Sequence, residues 1–165
     1  MICIPIVGPS MLQAQEQIES SLAIADILAL RLDLMVSPNL STLLASSTLP
    51  VIVTNRSKHD GGQYKGLDQD RVQSLRDALK AGADYVDIEV STPREFLQPF
   101  LEESESAKII LSYHDFSHTP EDFNPIYETM CEMPGEIVKI VTYAQDLIDN
   151  LKMFELLKRA KSERQ

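Results

Sequence analysis

Residues 108–114 read KIILSYH, and this run, which begins at Lys108 and ends at His114, decides the fold class. Its centre is apolar without interruption, which is typical of a parallel β-strand buried on both faces of its sheet. Five other runs have a similar composition, so the sequence predicts six strands. These five runs are Ile2–Val7, Asp26–Leu34, Pro50–Thr54, Asp84–Val90 and Glu136–Thr142.

Helix start signals lie between these strands. Ser10 and Gln13 have the spacing of a capping box, and Thr92 and Glu95 repeat it. A hydroxyl residue directly before proline is typical of an N-cap followed by the first residue of a helix. That pair occurs at Ser37-Pro38, Thr92-Pro93 and Thr119-Pro120.

Apolar spacing predicts the third and the last helix independently of these signals. Val72, Leu75 and Leu79 share one face of the third helix, and Ala81-Gly82 ends that helix. The last helix carries apolar residues at a helical spacing, namely Leu147, Leu151, Phe154 and Leu157.

The elements form a βα unit that is repeated six times. Either an open, doubly wound α/β sheet or part of a (β/α)8 TIM barrel accommodates this order. The first turn, Gly8-Pro9-Ser10, has neither the Gly-rich dinucleotide pattern nor a P-loop, which weakens the nucleotide-binding interpretation. No linker or change of composition divides the chain, so we expect a single domain over residues 1–165. In either fold the functional residues lie at the carboxyl ends of the strands.

Composition excludes several classes of protein. The chain has 165 residues, and 15 Lys plus Arg against 25 Asp plus Glu give a net charge of -10, which opposes binding to nucleic acid or to an anionic membrane. No apolar run approaches the roughly 20 residues of a membrane span, and the first residues lack the basic start of a secretory signal. The two cysteines form neither a disulfide framework nor a metal pattern, so we expect a reducing, cytoplasmic setting.

Two arginines lie within or directly after predicted strands. Arg31 shares a strand face with Asp33, and it either binds an anion or forms an internal ion pair with Asp33 or Asp60. Arg56 follows the third strand and is either a second anion-binding residue or a solvated loop arginine. Gly61-Gly62, a little further along, predicts a flexible or sharply turned loop.

The fourth strand ends with two carboxylates that share a face, Asp87 and Glu89. Such a pair is able to do acid/base chemistry or to bind a metal, or it provides internal partners for arginine and lysine. The absence of a histidine or third acid at metal-ligand spacing favours internal partners.

His114 and Lys139 are the sharpest candidates for catalysis. His114 lies where an apolar strand gives way to a loop, which suits a general base, although a lone histidine is often structural. Lys139 lies inside Ile137-Val138-Lys139-Ile140-Val141, and burial of a lysine lowers its pKa and favours the neutral amine that imine formation needs. The alternative is a lysine paired with an inward carboxylate such as Glu89. Two arginines, an amine and an imidazole indicate carbonyl chemistry through an imine on an anionic substrate, with no metal and no cofactor.

The residues at these strand ends resemble the type I 3-dehydroquinate dehydratases, which are Schiff-base enzymes of the shikimate pathway and of aromatic amino acid biosynthesis. The resemblance extends from residue 1 to about residue 160, and it is specific because the motifs occur in order on successive strands. These motifs are Leu30-Arg31-Leu32-Asp33, Thr54-Asn55-Arg56-Ser57 with Asp60-Gly61-Gly62, Asp84-Tyr85-Val86-Asp87-Ile88-Glu89, Ser112-Tyr113-His114-Asp115-Phe116 with Thr119-Pro120, and Val138-Lys139-Ile140 with Ala144.

The resemblance implies a (β/α)8 barrel and a carbon-oxygen lyase that converts 3-dehydroquinate to 3-dehydroshikimate. It implies that Lys139 forms the imine with the ketone and that His114 removes the neighbouring C2 proton and later helps to protonate the departing hydroxyl. It also implies that Arg31 and Arg56 line the substrate pocket and that Asp60 stands where the family has a glutamate that orients the histidine.

Three departures from the family pattern accompany the resemblance. Ala29 replaces a family glutamate, and Asp60 is one methylene shorter than its family counterpart. The third departure is length, because about six βα units are visible where a barrel has eight, and the family's last two strands carry an arginine for the substrate carboxylate and a closing loop.

Length therefore leaves alternatives open: the chain is a fragment or a truncated, catalytically impaired barrel, or the missing strands come from another chain or a neighbouring domain, or the fold is closed differently. Some members of the family are fused to a shikimate dehydrogenase domain, so the resemblance also allows that partner. Exposed sheet edges would favour a homo-oligomer. Another Schiff-base lyase or aldolase is the alternative enzyme.

Overall fold

The computed structural model describes residues 1–103 and 107–163 and contains all six predicted strands. The strands are β1 (Cys3–Ile6), β2 (Ile27–Arg31), β3 (Val51–Thr54), β4 (Tyr85–Glu89), β5 (Lys108–Asp115) and β6 (Ile137–Thr142). The helices are α1 (Met11–Ser21), α2 (Leu40–Ala45), α3 (Asp68–Lys80), α4 (Arg94–Glu103), α5 (Asn124–Cys131) and α6 (Leu147–Glu163).

Strand order distinguishes between the two architectures that the repeat allowed. The six strands are parallel and adjacent in chain order, from β1 to β6. A doubly wound sheet would reverse direction at a switch point, whereas continuous order is that of a barrel wall. The fold class is therefore confirmed as an α/β barrel type with six βα units, arranged as an open part of a barrel.

Most of the hydrophobic core lies between the sheet and the helices that cover its outer face. Alternate strand residues such as Leu30, Val53, Ile88 and Leu111 enter this core and are almost fully buried. The residues between them point to the inner face of the sheet, where a complete barrel has its interior. The sequence reads as continuously apolar because both faces of most strands are covered or partly covered.

The second strand ends earlier than predicted. It stops at Arg31, and Leu32–Leu34 forms a short 3-10 turn instead of continuing the strand to Leu34. The turn brings Asp33 back beside Arg31, where the two side chains form two hydrogen bonds. Local ion pairing has therefore replaced the predicted alternation beyond Arg31.

Two of the predicted helix starts are wrong. Ser37 has a φ of 47°, which is not the extended conformation of an N-cap, and Asn39 caps α2 instead by accepting from the backbone N–H of Thr42 at 3.0 Å. Thr119 starts no helix, because its hydroxyl donates to the carbonyl of Tyr143 at 2.9 Å. The loop after β5 is thereby fastened to the end of β6, and α5 begins later in the chain.

The signals for the first and third helices agree with the structure. Ser10 caps α1, with its hydroxyl 3.4 Å from the backbone nitrogen of Gln13 and 2.8 Å from the Gln13 side chain. The third helix buries its predicted apolar face and is followed by Gly82, whose φ is 90°. Of the described helices, none is long and apolar enough to cross a membrane.

The last helix forms as predicted, but its apolar stripe is exposed. Leu147 is 82% exposed and Phe154 is 65% exposed, whereas Leu156 is buried against Phe123 and Tyr127 in a small second core. The β6 end of the sheet is thus less covered than the β2 to β5 part.

Candidate active site

The register of the strands places the polar residues in layers on the inner face. One layer runs from Arg31 through Thr54 to Asp87 on three neighbouring strands. The next layer contains Glu89, Ser112 and Lys139. His114 lies one layer further toward the carboxyl end of β5, opposite Val141. The barrel geometry thus brings residues that are far apart in sequence to one end of the sheet.

Arg31 forms an internal ion pair with Asp33, which was one of the two interpretations of the sequence. Its Nε donates to Asp33 Oδ1 at 2.8 Å, and its Nη2 donates to Asp33 Oδ2 at 2.7 Å. Burial opposes ionisation of Asp33, but the Arg31 bonds outweigh it and hold the pKa of this carboxyl below its usual value. Asp33 thus supplies Arg31 with a carboxylate although Ala29 replaces the family glutamate.

Arg56 is not a solvated loop arginine, because its side chain is only 6% exposed. Its Nη2 donates to both oxygens of Asp87, at 2.9 and 2.8 Å, and its Nη1 donates to Glu89 at 2.9 Å and to Ser112 at 2.7 Å. Asp87 and Glu89 are therefore internal partners of a cation, as the sequence pattern favoured. Arg56 fixes the ends of β4 and β5 relative to the loop after β3.

Arg71 extends this arrangement from α3. Its side chain is 1% exposed, and its guanidinium binds Glu89 and Asp68 and donates to the Thr92 hydroxyl at 2.8 Å. We call the five buried residues that meet here the buried network. Its members are Arg56, Arg71, Asp87, Glu89 and Ser112.

Charge and burial oppose each other in the two acids of the buried network. Burial raises the pKa of a carboxyl, but in Asp87 the cations Arg56 and Lys139 outweigh it and hold the pKa below its usual value. In Glu89 burial prevails, and the pKa lies above its usual value despite Arg56 and Arg71. Glu89 is therefore the acid that depends more on its cationic partners to stay ionised.

Lys139 joins the buried network from its exposed side. Its Nζ donates to Asp87 Oδ2 at 3.0 Å, and its side chain is 42% exposed. The expectation of a buried lysine is therefore wrong, because no further strand in the described chain covers β6. The alternative of an ion pair with an inward carboxylate holds, with Asp87 in place of the suggested Glu89.

His114 is held as a neutral imidazole. Burial, together with the nearby cations Arg56 and Lys139, lowers its pKa from 6.5 to about 4. Its Nδ1 is buried and has no hydrogen-bond partner within residues 1–103 and 107–163. Phe116 stacks on the ring with centroids 5.9 Å apart. A neutral ring keeps the nitrogen lone pair that a general base needs to accept a proton.

Asp60 lies in a sharp turn and is fully buried. Gly61 has a φ of 77°, and a side chain at Gly62 would come within 2.1 Å of the Arg56 carbonyl oxygen, so both positions favour glycine. The Asp60 carboxylate accepts from the hydroxyls of Ser57, at 2.9 Å, and Ser91, at 2.6 Å. It forms no hydrogen bond with His114 in the described structure.

Two residues of this site were missed from the sequence. Ser112 alternates with Ile110 and His114 on β5, so it shares their inward face and was detectable from strand period alone. Arg71 resembles one half of an exposed pair with Asp68. The signal that it is buried is its spacing from Leu75 and Ala78, which lie on the core face of α3.

The assembled groups are suited to chemistry on a carbonyl compound. An amine with one hydrogen bond, a neutral imidazole and two arginines converge at the carboxyl ends of parallel strands. The described residues contain no group of three or more His, Cys, Asp or Glu side chains arranged to hold a metal ion.

Comparison with known proteins gives concordant results. A family model described as type I 3-dehydroquinase matches residues 2–165. A 3-dehydroquinate dehydratase of Methanococcus maripaludis strain C7 is 34% identical over 162 residues, which are 96% of this chain and 74% of that relative. A chloroplastic bifunctional 3-dehydroquinate dehydratase/shikimate dehydrogenase of Arabidopsis thaliana is 34% identical over 170 residues, which are 97% of this chain and 28% of that protein.

The solved structures agree on the fold. A type I 3-dehydroquinate dehydratase from Clostridium difficile matches with a TM-score of 0.86 at 24% identity, over 93% of this chain and 67% of that chain. At this identity the match supports the fold alone. The chain thus spans about three quarters of the Methanococcus relative and two thirds of the Clostridium structure.

Proposed function

This chain belongs to the type I 3-dehydroquinase family, and on that premise we propose that it dehydrates 3-dehydroquinate to 3-dehydroshikimate through an imine on Lys139. The observation that supports the proposal is the placement of Lys139 and His114 on adjacent strands of one inner face, with the imidazole neutral. We propose that residues 1–165 form one partial barrel domain for this reaction.

The proposed reaction begins at Lys139. Its neutral amine attacks the ketone carbon of the substrate, and loss of water gives a protonated imine. The imine withdraws electrons from the neighbouring C2–H bond, so His114 is able to take that proton as a general base. The electrons then expel the hydroxyl, which leaves as water with a proton returned by His114, and hydrolysis of the imine releases the product and the amine.

Asp87 has two roles in this proposal. It accepts a hydrogen bond from Lys139 at 3.0 Å, so its negative charge also stabilises the cationic imine that replaces the ammonium. It is itself fixed by Arg56 and Ser112, which keeps its carboxylate oriented toward Lys139.

The other site residues are assigned to substrate binding. Nη1 of Arg31 forms no hydrogen bond with any described residue, so it is free to bind an oxygen of the substrate. Arg56 contributes positive charge, although its terminal nitrogens are already bonded. The Asp60 carboxylate accepts from the hydroxyls of Ser57 and Ser91, and we propose that it borders the pocket.

Borohydride trapping tests the proposed function. Reduction in the presence of 3-dehydroquinate should leave a stable adduct on Lys139, which intact mass and peptide mass spectrometry locate. Lys139→Ala should abolish the adduct, and Lys80→Ala, which removes an exposed lysine at the end of α3, should leave it unchanged. A chain that gives no adduct, or an adduct on another lysine, contradicts the proposal.

A further inference from the structure

We propose that Arg71 is a positioning residue for this reaction, and that its charge reaches Lys139 through the buried network and favours the neutral amine. The inference rests on the proposed role of Lys139 and extends it to a helix residue outside the inner face. Arg71 comes from α3, on the outer side of the sheet.

The contacts form a continuous path of alternating charge. Arg71 binds Glu89, whose Oε1 accepts from Arg56 at 2.9 Å. Arg56 then binds Asp87 at 2.8 Å, and Asp87 accepts from Lys139 at 3.0 Å. No step of this path requires a water molecule.

Burial allows charge to act over this distance. The four side chains before Lys139 are at most 6% exposed, so solvent screens them little. Asp68, which also binds Arg71, is 39% exposed and is better screened. The charge of Arg71 is therefore directed mainly inward, toward Glu89.

The charge count explains why Arg71 matters. Arg56 and Arg71 balance Asp87 and Glu89, so the buried network has no net charge of its own. The ammonium of Lys139 is then the unbalanced charge. Loss of Arg71 would leave an excess carboxylate, and that excess would retain the proton on Lys139 and suppress its attack on a ketone.

Other titratable groups also interact with Lys139. The charge of Lys139 helps to lower the pKa of His114 on β5, and on β1 it opposes the burial that raises the pKa of Cys3. Asp60 lies near His114 and acts on it in the opposite direction. All of these groups are the same in every variant below, so they cancel when two variants are compared.

The test changes the charge of Arg71 in chains that carry Glu89→Gln, so that residue 89 is unable to titrate. The variants are Glu89→Gln, Glu89→Gln with Arg71→Met, and Glu89→Gln with Arg71→Lys. Trace labelling with acetic anhydride across pH, followed by peptide mass spectrometry, gives the pH at which Lys139 becomes half reactive. Exposed Lys58 provides the internal standard.

Glu89→Gln should move that midpoint to lower pH than in the native chain. Adding Arg71→Met should move it back up by about one pH unit, a tenfold change in neutral amine at a given pH. Adding Arg71→Lys, which keeps the charge, should leave it at the value of Glu89→Gln alone. A role in stability only would shift the melting temperature and leave the three midpoints equal, and that result would overturn the proposal.

Two features keep the test decisive. If Arg71→Met does not fold, the isosteric Glu89→Gln chain still tests the path, and an unchanged midpoint there also contradicts the proposal. The labelling uses no 3-dehydroquinate. A chain that fails borohydride trapping but shows the expected midpoints therefore contradicts the proposed function and supports the role of Arg71.

Discussion

The buried network and the pair formed by His114 and Lys139 meet at the same end of the sheet but differ in how their polar groups are satisfied. Arg56, Asp87 and Glu89 are buried, and Arg56 donates to both carboxylates at 2.8 to 2.9 Å. His114 has an unpartnered Nδ1 among the described residues, and Lys139 is partly exposed with one carboxylate partner.

This contrast distinguishes the groups that stabilise the fold from the groups that are suited to take part in the reaction. Groups that are fully paired are costly to disturb, because loss of one partner leaves a buried charge uncompensated. Groups that retain free bonding capacity are able to exchange protons or bind a ligand at little cost to the fold. Substitutions in the two regions should therefore affect different measurements.

The largest expected effect is on turnover, in His114→Gln. Loss of the general base should lower kcat about 100- to 10,000-fold, whereas borohydride should still trap the Lys139 adduct because imine formation does not require His114. His118→Gln, which changes an exposed loop histidine, should leave kcat within about twofold. Loss of both trapping and turnover in His114→Gln would contradict the assignment of imine formation to Lys139 alone.

The next effect is on stability, in Asp87→Asn. Arg56 and Lys139 would lose their shared carboxylate, and removal of one partner of a buried ion pair costs about 3–5 kcal/mol of unfolding free energy. Asp77→Asn, on the exposed face of α3, should change the unfolding free energy by less than about 0.5 kcal/mol. Urea denaturation measures both. A loss below about 1 kcal/mol in Asp87→Asn would mean that the network contributes little to stability.

A smaller effect concerns the pH dependence of stability. His114 has a folded-state pKa of about 4, below its ordinary value of 6.5, so between these values the unfolded chain binds more protons than the folded chain. The contribution of the neutral His114 to the free energy of unfolding is therefore complete above pH 6.5 and is lost as the pH falls toward 4. The Asp87 carboxyl, whose pKa is held below 3.8, loses its contribution only at more acid pH.

Urea denaturation of the native chain and of His114→Gln, at pH 7 and at pH 4.5, measures the part of the pH dependence that comes from His114. The native chain should lose more stability over this range than the variant does. Equal losses in both chains would contradict the assignment of a buried neutral imidazole at His114.

Sequence patterns identified the strands and the pair formed by His114 and Lys139 better than the helix caps and the buried network. Lys139 was recognised because a charged side chain within an apolar strand has few explanations. Its exposure was not foreseen, since a strand's pattern does not show whether the next strand covers it. Arg71 escaped notice because an i, i+3 pair with Asp68 is typical of a solvated helix face, and only packing against the sheet buries it. Ser37 and Thr119 failed as caps because their conformation and partners depend on distant residues.

The smallest expected effect comes from Asp60→Glu, which tests whether one methylene separates this carboxylate from the His114 imidazole. Asp60 is held by Ser57 and Ser91, while Nδ1 of His114 has no partner in the described structure. A longer carboxylate that accepts from Nδ1–H would stabilise the imidazolium and raise the pKa of His114 from about 4. A base closer to the working pH should then increase kcat by a factor of about 2 to 5 at pH 7. An NMR titration of His114 measures the first change, and Asp60→Asn, which keeps the length and removes the charge, should lower that pKa instead. A His114 pKa that stays at about 4 in Asp60→Glu would show that Ser57 and Ser91, and not side-chain length, keep the carboxylate away from the imidazole.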